Sequence, residues 1–277
     1  MPGSEYYPWH TWALTRVRAR VRVRARTAQK GSKGGGATSE PSDNVVNESI
    51  AHRRRALTAL LLIAPIPSLG VIMAMVVAPG AIGKTIFTAA KIWLLVFPAT
   101  WYLLVEKGKP SWSPPRRGGL AVGAASGAVV AGIIVVGAWL VGIQHMDLAP
   151  LRTEVQEMGL NTALPYLAGA AGWTFVNSLM EEYVYRWFVF RQCEALMKGW
   201  APVITSAAIF TAHHVIAVSQ YLEPLLTILA SAGVFVGGVI WSWLYMRYRS
   251  IWPGWLSHVL ADIAVFGVGW YLLFGMV

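Results

Sequence analysis

The chain has 277 residues, of which 56% are hydrophobic and 13% are charged, and its formal net charge is +10. The charged fraction is about half that of an average soluble domain, which argues against a soluble enzyme or binding module. A single cysteine excludes an internal disulfide and any site that needs several cysteine ligands. The composition therefore favours a membrane protein whose chemistry depends on other side chains.

Residues 1–55 form a basic segment, with eleven Lys or Arg residues against four acidic residues. Arginine occupies every second position from Arg16 to Arg26, and a stretch rich in Gly and Ser follows. We expect a disordered, self-repelling tail and linker over 1–55. Attraction of the arginines to anionic lipid or to nucleic acid is the alternative, as is a transit peptide. We expect no nucleic-acid partner.

Seven apolar stretches follow the tail, and they run near or beyond the roughly 20 residues that cross a bilayer as a helix. They lie near 56–78, 86–105, 119–142, 165–192, 201–219, 222–247 and 251–275. The more polar stretch between the third and fourth, 143–164, is predicted to be an external loop with a short interfacial helix. The sequence therefore predicts an all-α, polytopic transmembrane helical bundle of about seven spans over 56–277.

The distribution of Lys and Arg predicts the orientation of this bundle. If the N-terminus is cytoplasmic, the cytoplasmic connections carry eight basic residues, whereas the opposite side carries only Lys84 and Arg152. We therefore expect a cytoplasmic N-terminus and an external C-terminus. Lys91 falls inside the second span near its outer end, where its side chain is expected to extend towards the head groups.

Ionisable residues at membrane depth are rare and usually line a cavity or contact a partner. After the spans are assigned, those left unexplained lie on the fourth, fifth and seventh spans: Glu181, Glu182, Arg186, His213, His214, His258 and Asp262. With a rise of about 1.5 Å per residue, Glu181, His214 and His258 lie roughly 16, 20 and 10 Å from the cytoplasmic ends of their spans. Because these depths overlap, the three spans are expected to meet around one water-filled cavity.

Spacing on the fourth span predicts which of its charges are paired. Glu182 and Arg186 are four residues apart, so they share a helical face and are predicted to form an ion pair. Glu181 points about 100° away from Glu182, towards the face of Asn177, and has no local counter-charge. A carboxylate without such a partner suits a general base. The alternative is that all three charges form a structural ion-pair staple between helices.

Two histidine patterns complete the cluster. In FTAHHV, the i+4 spacing from Phe210 selects His214 rather than His213 as the histidine on the cavity face. In HVLAD, His258 and Asp262 share a face, and the carboxylate can fix the tautomer of the imidazole. Taken alone, each histidine could instead be a hydrogen-bonded packing residue.

Together the three patterns resemble the CPBP family, the Abi and CAAX-protease-like intramembrane glutamic endopeptidases. The motifs of that family are EExxxR, then FxxxH, then HxxxN or HxxxD on later helices. They are matched here, in order and on separate predicted spans, by EEYVYR from Glu181, FTAHH from Phe210 and HVLAD from His258. The resemblance covers roughly residues 160–270.

The resemblance implies hydrolysis of a peptide bond inside the membrane, with no metal and no cofactor. It implies Glu181 as the general base that activates a water, and His214 as a residue that holds this water. It implies that His258 and Asp262 steady the oxyanion. Because an ionised Asp262 cannot donate to an oxyanion, we expect it to act by holding His258 as a donor. The supporting residues are expected to be Glu182, Arg186, Phe210, His213 and Asn177.

The substrate is expected to be a membrane-associated protein or peptide, lipidated or with a hydrophobic C-terminal segment, met in the lipid bilayer. CAAX-type processing and trimming of peptides or C-terminal sorting tags are both open. One alternative is a metalloprotease with zinc on Glu181, His214 and His258, although HExxH is absent. The other is a non-proteolytic scaffold, a bacteriocin-immunity protein or a proton-coupled transporter. The expected location is a bacterial inner membrane, because SPPRRGG and the arginine-rich tail are prokaryotic in character.

Overall fold

The computed structural model describes residues 40–142 and 148–275. The chain divides into two compact units, 1–49 and 50–277, and the described part of the first unit, 40–49, is helical. The predicted tail over 1–39 lies outside the described residues. Residues 40–55, predicted to be linker, are instead helical. Glycine is absent between residues 37 and 69, and Pro41 lies in the first helical turn, where its missing N–H costs nothing.

All regular structure in the described residues is helical. The α-helices, numbered in chain order, are α1 Glu40–Ile63, α2 Ile66–Ile72, α3 Ala81–Thr100, α4 Leu120–Gly137, α5 Leu148–Glu157, α6 Ala163–Ala171, α7 Ser178–Glu181, α8 Phe190–Leu196, α9 Ala201–Val218, α10 Pro224–Tyr248 and α11 Trp252–Trp270. π-Helical segments join or extend them at Met73–Val77, Trp101–Val105, Ala138–Gly142, Gly172–Asn177, Glu182–Val189 and Tyr271–Gly275. Helix α5 is the short helix expected between the third and fourth spans.

Six stretches are helical, long and apolar enough to cross a membrane: Val46–Val77, Ala81–Val105, Leu120–Leu140, Ala201–Val218, Pro224–Tyr248 and Trp252–Gly275. They correspond to six of the seven predicted spans. The remaining span, predicted at 165–192, is also helical, because α6, α7, α8 and the π segments between them run without a break over 163–196. We call this run the composite helix. It carries Glu181, Glu182 and Arg186, and so it is less apolar than the other six.

The distribution of polar and apolar side chains is the one expected of a membrane protein. Leu104 and Val176 are 71% and 70% exposed on outer helix faces, whereas Glu182 and Arg186 are fully buried. Lipid solvates apolar side chains well, whereas an ionised group at membrane depth needs a partner or a cavity. The prediction of an all-α, polytopic bundle is thus confirmed.

Close packing of α4 against α11 positions one side of the candidate site. A Cβ on Gly123 would overlap the backbone of Pro253, and one on Gly127 would lie 2.7 Å from the Cα of Ser257. Small residues four apart let two membrane helices approach to backbone contact. Ser126 and Ser257 also hydrogen bond through their hydroxyls at 3.2 Å. These contacts hold the first half of α11 against α4. His258, which follows Ser257, is held in place with it.

Candidate active site

The composite helix presents two adjacent carboxylates at the junction of α7 and a π-helical segment. Glu181 is 7% exposed, and Glu182 and Arg186 are not exposed at all. π-Helical turns change the face on which side chains point and are frequent at functional sites. The three predicted charges of this span are therefore all turned into the protein.

Glu182 contacts two basic side chains through one carboxylate oxygen. Its Oε1 lies 3.4 Å from Nη1 of Arg186, so the ion pair predicted from the i+4 spacing is present. The same oxygen lies 3.1 Å from Nδ1 of His258 on α11. Because a carboxylate accepts, this Nδ1 carries the proton. The other oxygen, Oε2, has no hydrogen-bond partner among the described residues and faces Gly254, where a Cβ would lie 2.5 Å away.

Asp262 does not hold His258 in the way expected. Its Oδ1 lies 3.7 Å from Nε2 of His258, which is too long for a hydrogen bond. The carboxylate that bonds the imidazole is Glu182, from the composite helix. The i+4 spacing on α11 places Asp262 and His258 on one face, but the shorter contact comes from another helix.

Aromatic rings enclose the buried cation of Arg186. Its guanidinium carbon lies 4.5 Å from the ring centre of Phe210 and 5.1 Å from that of Trp241. The ring of Trp241 also stacks on His258 at 3.8 Å, with 14° between the planes. Cation–π contacts of this kind partly replace the lost hydration of a buried guanidinium. Phe210 and Trp241 thus form a wall shared by Arg186 and His258.

Two successive hydrogen bonds connect Glu181 to a lysine on another helix. Lys91 on α3 donates from Nζ to Oδ1 of Asn177 at 2.7 Å, and Asn177 donates from Nδ2 to Oε1 of Glu181 at 2.9 Å. A lysine can only donate, so it determines which way the Asn177 amide points. The expectation that Lys91 extends towards the head groups is wrong. Its ammonium instead lies about 5.4 Å from the ring centre of Trp173 and points to the site.

Both histidines of α9 lie at the site, although the i+4 spacing from Phe210 predicted only His214 there. His214 bonds the carbonyl of Phe210 through Nδ1 at 3.0 Å, which leaves Nε2 of a neutral ring as an acceptor. Nδ1 of His213 lies 3.2 Å from the hydroxyl of Tyr185. Ligand atoms from Glu181, His213 and His214 all lie within 4.8 Å of one another. One water, with hydrogen bonds of about 2.8 Å, can bridge groups at such separations.

On α11, the third helix of the site, the imidazole of His258 lies beside the carboxylate of Glu181. Nε2 of His258 lies 3.7 Å from Oε2 of Glu181, and the ring is 4% exposed. The composite helix, α9 and α11 therefore converge around Glu181. The zinc ligands considered from the sequence were Glu181, His214 and His258. In the structure, the group whose spacing suits a metal ion is instead Glu181, His213 and His214.

Residues 162–264 match the family model described as Type II CAAX prenyl endopeptidase Rce1-like. Over these residues, which we call the Rce1-like segment, the chain is similar to that family. The resemblance drawn from the three motifs is thereby confirmed, and every predicted site residue lies within the matched range. No curated protein and no solved structure matches the chain.

The match of the Rce1-like segment and the six apolar helices together support an integral, multi-pass membrane protein with similarity to a family of membrane endopeptidases. Three residues at its site were not selected from the sequence as site residues: Lys91, Tyr185 and Trp241. Lys91 lies outside the matched range, on α3, and its one signal is that a lysine at membrane depth needs a reason. Tyr185 has one signal, its i+4 spacing from Glu181, which places it on the same helical face. Trp241 gives no signal, because aromatic residues are ordinary in apolar helices.

Proposed function

We propose that the Rce1-like segment hydrolyses a peptide bond of a membrane-associated substrate with a water that Glu181 activates. The observation that carries this proposal is the convergence of Glu181, His213 and His214, whose ligand atoms lie within 4.8 Å of one another. A buried carboxylate beside two imidazoles can hold a water and take its proton. The lone pair on Nε2 of His214 is suited to orient that water, because its Nδ1 is occupied by Phe210.

The proposed reaction has two steps. Glu181 accepts a proton from the water as the water oxygen bonds to the scissile carbonyl carbon, which gives a tetrahedral oxyanion. The bond from carbon to the amide nitrogen then breaks, and the protonated Glu181 gives its proton to the leaving amine. One carboxyl group serves as base and then as acid, which requires that it stay close to both the water and the leaving nitrogen.

His258 is the proposed donor to the oxyanion. Its Nδ1 is held by Glu182, so donation from Nε2 requires a ring that carries a proton on both nitrogens. Glu181, Glu182 and Asp262 all lie within 3.7 Å of this ring and favour its cationic form electrostatically. Preorganised donors aimed at developing charge supply a large share of catalysis in hydrolytic enzymes.

The proposed substrate carries a lipid or a hydrophobic C-terminal segment and enters from the cytoplasmic leaflet of a bacterial inner membrane. The name of the matched family supports a CAAX-type substrate. We expect the purified protein to release a C-terminal tripeptide from a farnesylated CAAX peptide, measured by mass spectrometry. The same peptide without the lipid is the control. Release of no fragment from either peptide, and from a library of hydrophobic C-terminal peptides, would contradict the proposed activity.

A metal-dependent reaction is the second candidate, because Glu181, His213 and His214 have the spacing of a metal site. The two mechanisms differ in their response to chelation. If Glu181 acts on the water directly, peptide release is expected to continue unchanged after exhaustive dialysis against a strong chelator. Loss of activity that returns on addition of zinc would instead assign the carboxylate and the two imidazoles as ligands.

Lys91 is proposed as a positioning residue that acts on Glu181 through Asn177. Lys91→Met is expected to lower kcat by roughly tenfold or more with little change in KM, because a charge-assisted hydrogen bond is worth about 1.5–3 kcal/mol. Lys91→Arg, which keeps a donor cation, is expected to recover most of the rate. Lys84→Met is the matched control, since Lys84 lies on the same helix and is exposed. An unchanged kcat in Lys91→Met would remove this role.

A further inference from the structure

The two adjacent histidines of α9 have different hydrogen-bond partners. Nδ1 of His214 lies 3.0 Å from the carbonyl oxygen of Phe210, and because a carbonyl only accepts, this nitrogen carries the proton. Nδ1 of His213 lies 3.2 Å from the hydroxyl oxygen of Tyr185 on the composite helix. A hydroxyl can donate or accept, so the tautomer of His213 depends on where the hydroxyl hydrogen of Tyr185 points.

Burial decides the direction of the hydrogen bond between Tyr185 and His213. Tyr185 is 2% exposed, and among the described residues its hydroxyl has no hydrogen-bond partner other than His213. If the hydroxyl accepted from His213, its own hydrogen would be buried without an acceptor, which costs free energy. His213 is half-buried, so a hydrogen on its other nitrogen can meet water. The favoured arrangement therefore has Tyr185 donating to Nδ1, which leaves the hydrogen of the neutral imidazole on Nε2.

Contacts along one face of α9 fix the position of Tyr185. Ser206, Phe210 and His213 are spaced at i, i+4 and i+7, so they lie on the same side of the helix. The hydroxyl of Ser206 donates to the backbone carbonyl of Tyr185 at 3.0 Å. The ring of Phe210 meets that of Tyr185 edge to face, with their centres 4.9 Å apart, and the ring of His213 is parallel to it within 9°. The phenol hydroxyl is thus held in place by side chains other than the histidine that it contacts.

The two histidines then offer opposite groups to a water bound beside Glu181. His214 has a free lone pair on Nε2, because its Nδ1 donates to Phe210. His213 has none, because its Nδ1 accepts from Tyr185 and its Nε2 carries the hydrogen. A water has two hydrogens to donate, and it finds two acceptors, the carboxylate of Glu181 and Nε2 of His214. A third acceptor on His213, whose ligand atom lies within 4.8 Å of both, would compete for the same two hydrogens and disorder the water.

We propose that Tyr185 is a positioning residue that holds His213 as a hydrogen-bond donor and thereby fixes the orientation of the nucleophilic water. This role rests on the hydrolysis by Glu181 proposed above, but the tautomer of His213 can be measured without it. Position 185 is one of the three unspecified positions in EExxxR, so the motif assigns no role to this hydroxyl. Tyr185 acts through His213 and is not expected to contact the substrate.

Nitrogen NMR of the purified protein with isotope-labelled histidine tests the tautomer directly. A ring nitrogen that accepts and one that carries hydrogen resonate far apart, so a spectrum at mildly alkaline pH distinguishes the two neutral forms. The spectrum of His213→Asn, which lacks this imidazole, identifies its signals among those of the six histidines. We expect hydrogen on Nε2 of His213 in the parent protein. In Tyr185→Phe we expect a mixture of tautomers, because the phenyl ring keeps the packing but not the donor.

The kinetic expectation for Tyr185→Phe is a lower kcat with little change in KM. The loss is expected to be between about twofold and tenfold, the range for one neutral hydrogen bond, measured by release of the C-terminal fragment. Tyr183→Phe is the matched control, because it removes a hydroxyl from the same π-helical segment, where Tyr183 donates to the carbonyl of Leu95 at 3.0 Å. The control is expected to leave both kcat and the His213 signals unaltered. Unfolding temperatures of both variants check the fold.

Four results would overturn this role of Tyr185. They are hydrogen on Nδ1 of His213 in the parent protein, an unchanged tautomer in Tyr185→Phe, a changed tautomer with kcat unaltered, and equal loss of kcat in the two tyrosine variants. A parent protein that cleaves no peptide would instead contradict the hydrolysis proposed for Glu181. The NMR spectrum would still decide whether Tyr185 fixes the tautomer of His213.

Discussion

Glu181→Gln is expected to lower kcat for peptide release by about 10²–10⁴-fold, the usual contribution of a general base. Glutamine has nearly the shape of glutamate and keeps the oxygen that accepts from Asn177. It cannot take a proton from water, however, and it removes the negative charge that faces Nε2 of His258. The loss is therefore expected in kcat, measured by release of the C-terminal fragment under saturating substrate.

A matched substitution shows whether the effect belongs to this carboxylate. Glu223→Gln makes the same chemical change at an exposed position before α10 and is expected to leave kcat unaltered. Both variants are expected to unfold at the temperature of the parent protein in the same detergent. Full activity in Glu181→Gln, with the fold intact, would remove the proposed mechanism. Loss of activity together with the fold would instead favour the structural staple that the sequence also allowed.

Local spacing was enough to predict the features that lie within one helix. The i+4 rule paired Glu182 with Arg186, and the contact is present at 3.4 Å. Hydropathy located six spans that the structure contains, and three short motifs indicated the family that residues 162–264 match. These features depend on neighbours in sequence, and helical periodicity is a strong guide to them.

Contacts between helices could not be read from spacing. His258 takes Glu182 as its partner, 76 positions earlier, and not the carboxylate one turn away. Lys91 reaches a residue 86 positions later, and His213 meets a tyrosine 28 positions earlier. Each depends on how helices rotate against one another, and the π-helical turns of the composite helix shift that rotation. Lys91 also lies outside the three motifs, so the family resemblance could not indicate its contact with the site.

Arg186→Met is expected to destabilise the protein by about 3–5 kcal/mol, the usual result of removing one partner of a buried ion pair. Glu182 is fully buried, and without the guanidinium its charge would be balanced only by His258. Methionine fills part of the space between Phe210 and Trp241 but supplies neither charge nor hydrogen bond. Denaturant unfolding in detergent, followed by circular dichroism, measures the difference.

The double variant Glu182→Gln/Arg186→Met distinguishes loss of charge balance from loss of packing. Glutamine removes the unbalanced charge and can still accept from Nδ1 of His258, so most of the stability is expected to return. Arg152→Met, at an exposed position on α5, controls for the substitution itself. If Arg186→Met alone is as stable as the parent protein, the carboxyl group of Glu182 is either already neutral or fully balanced by His258. The guanidinium of Arg186 would then contribute to hydrolysis and not to stability. It would act through His258, the imidazole that contacts the same aromatic wall.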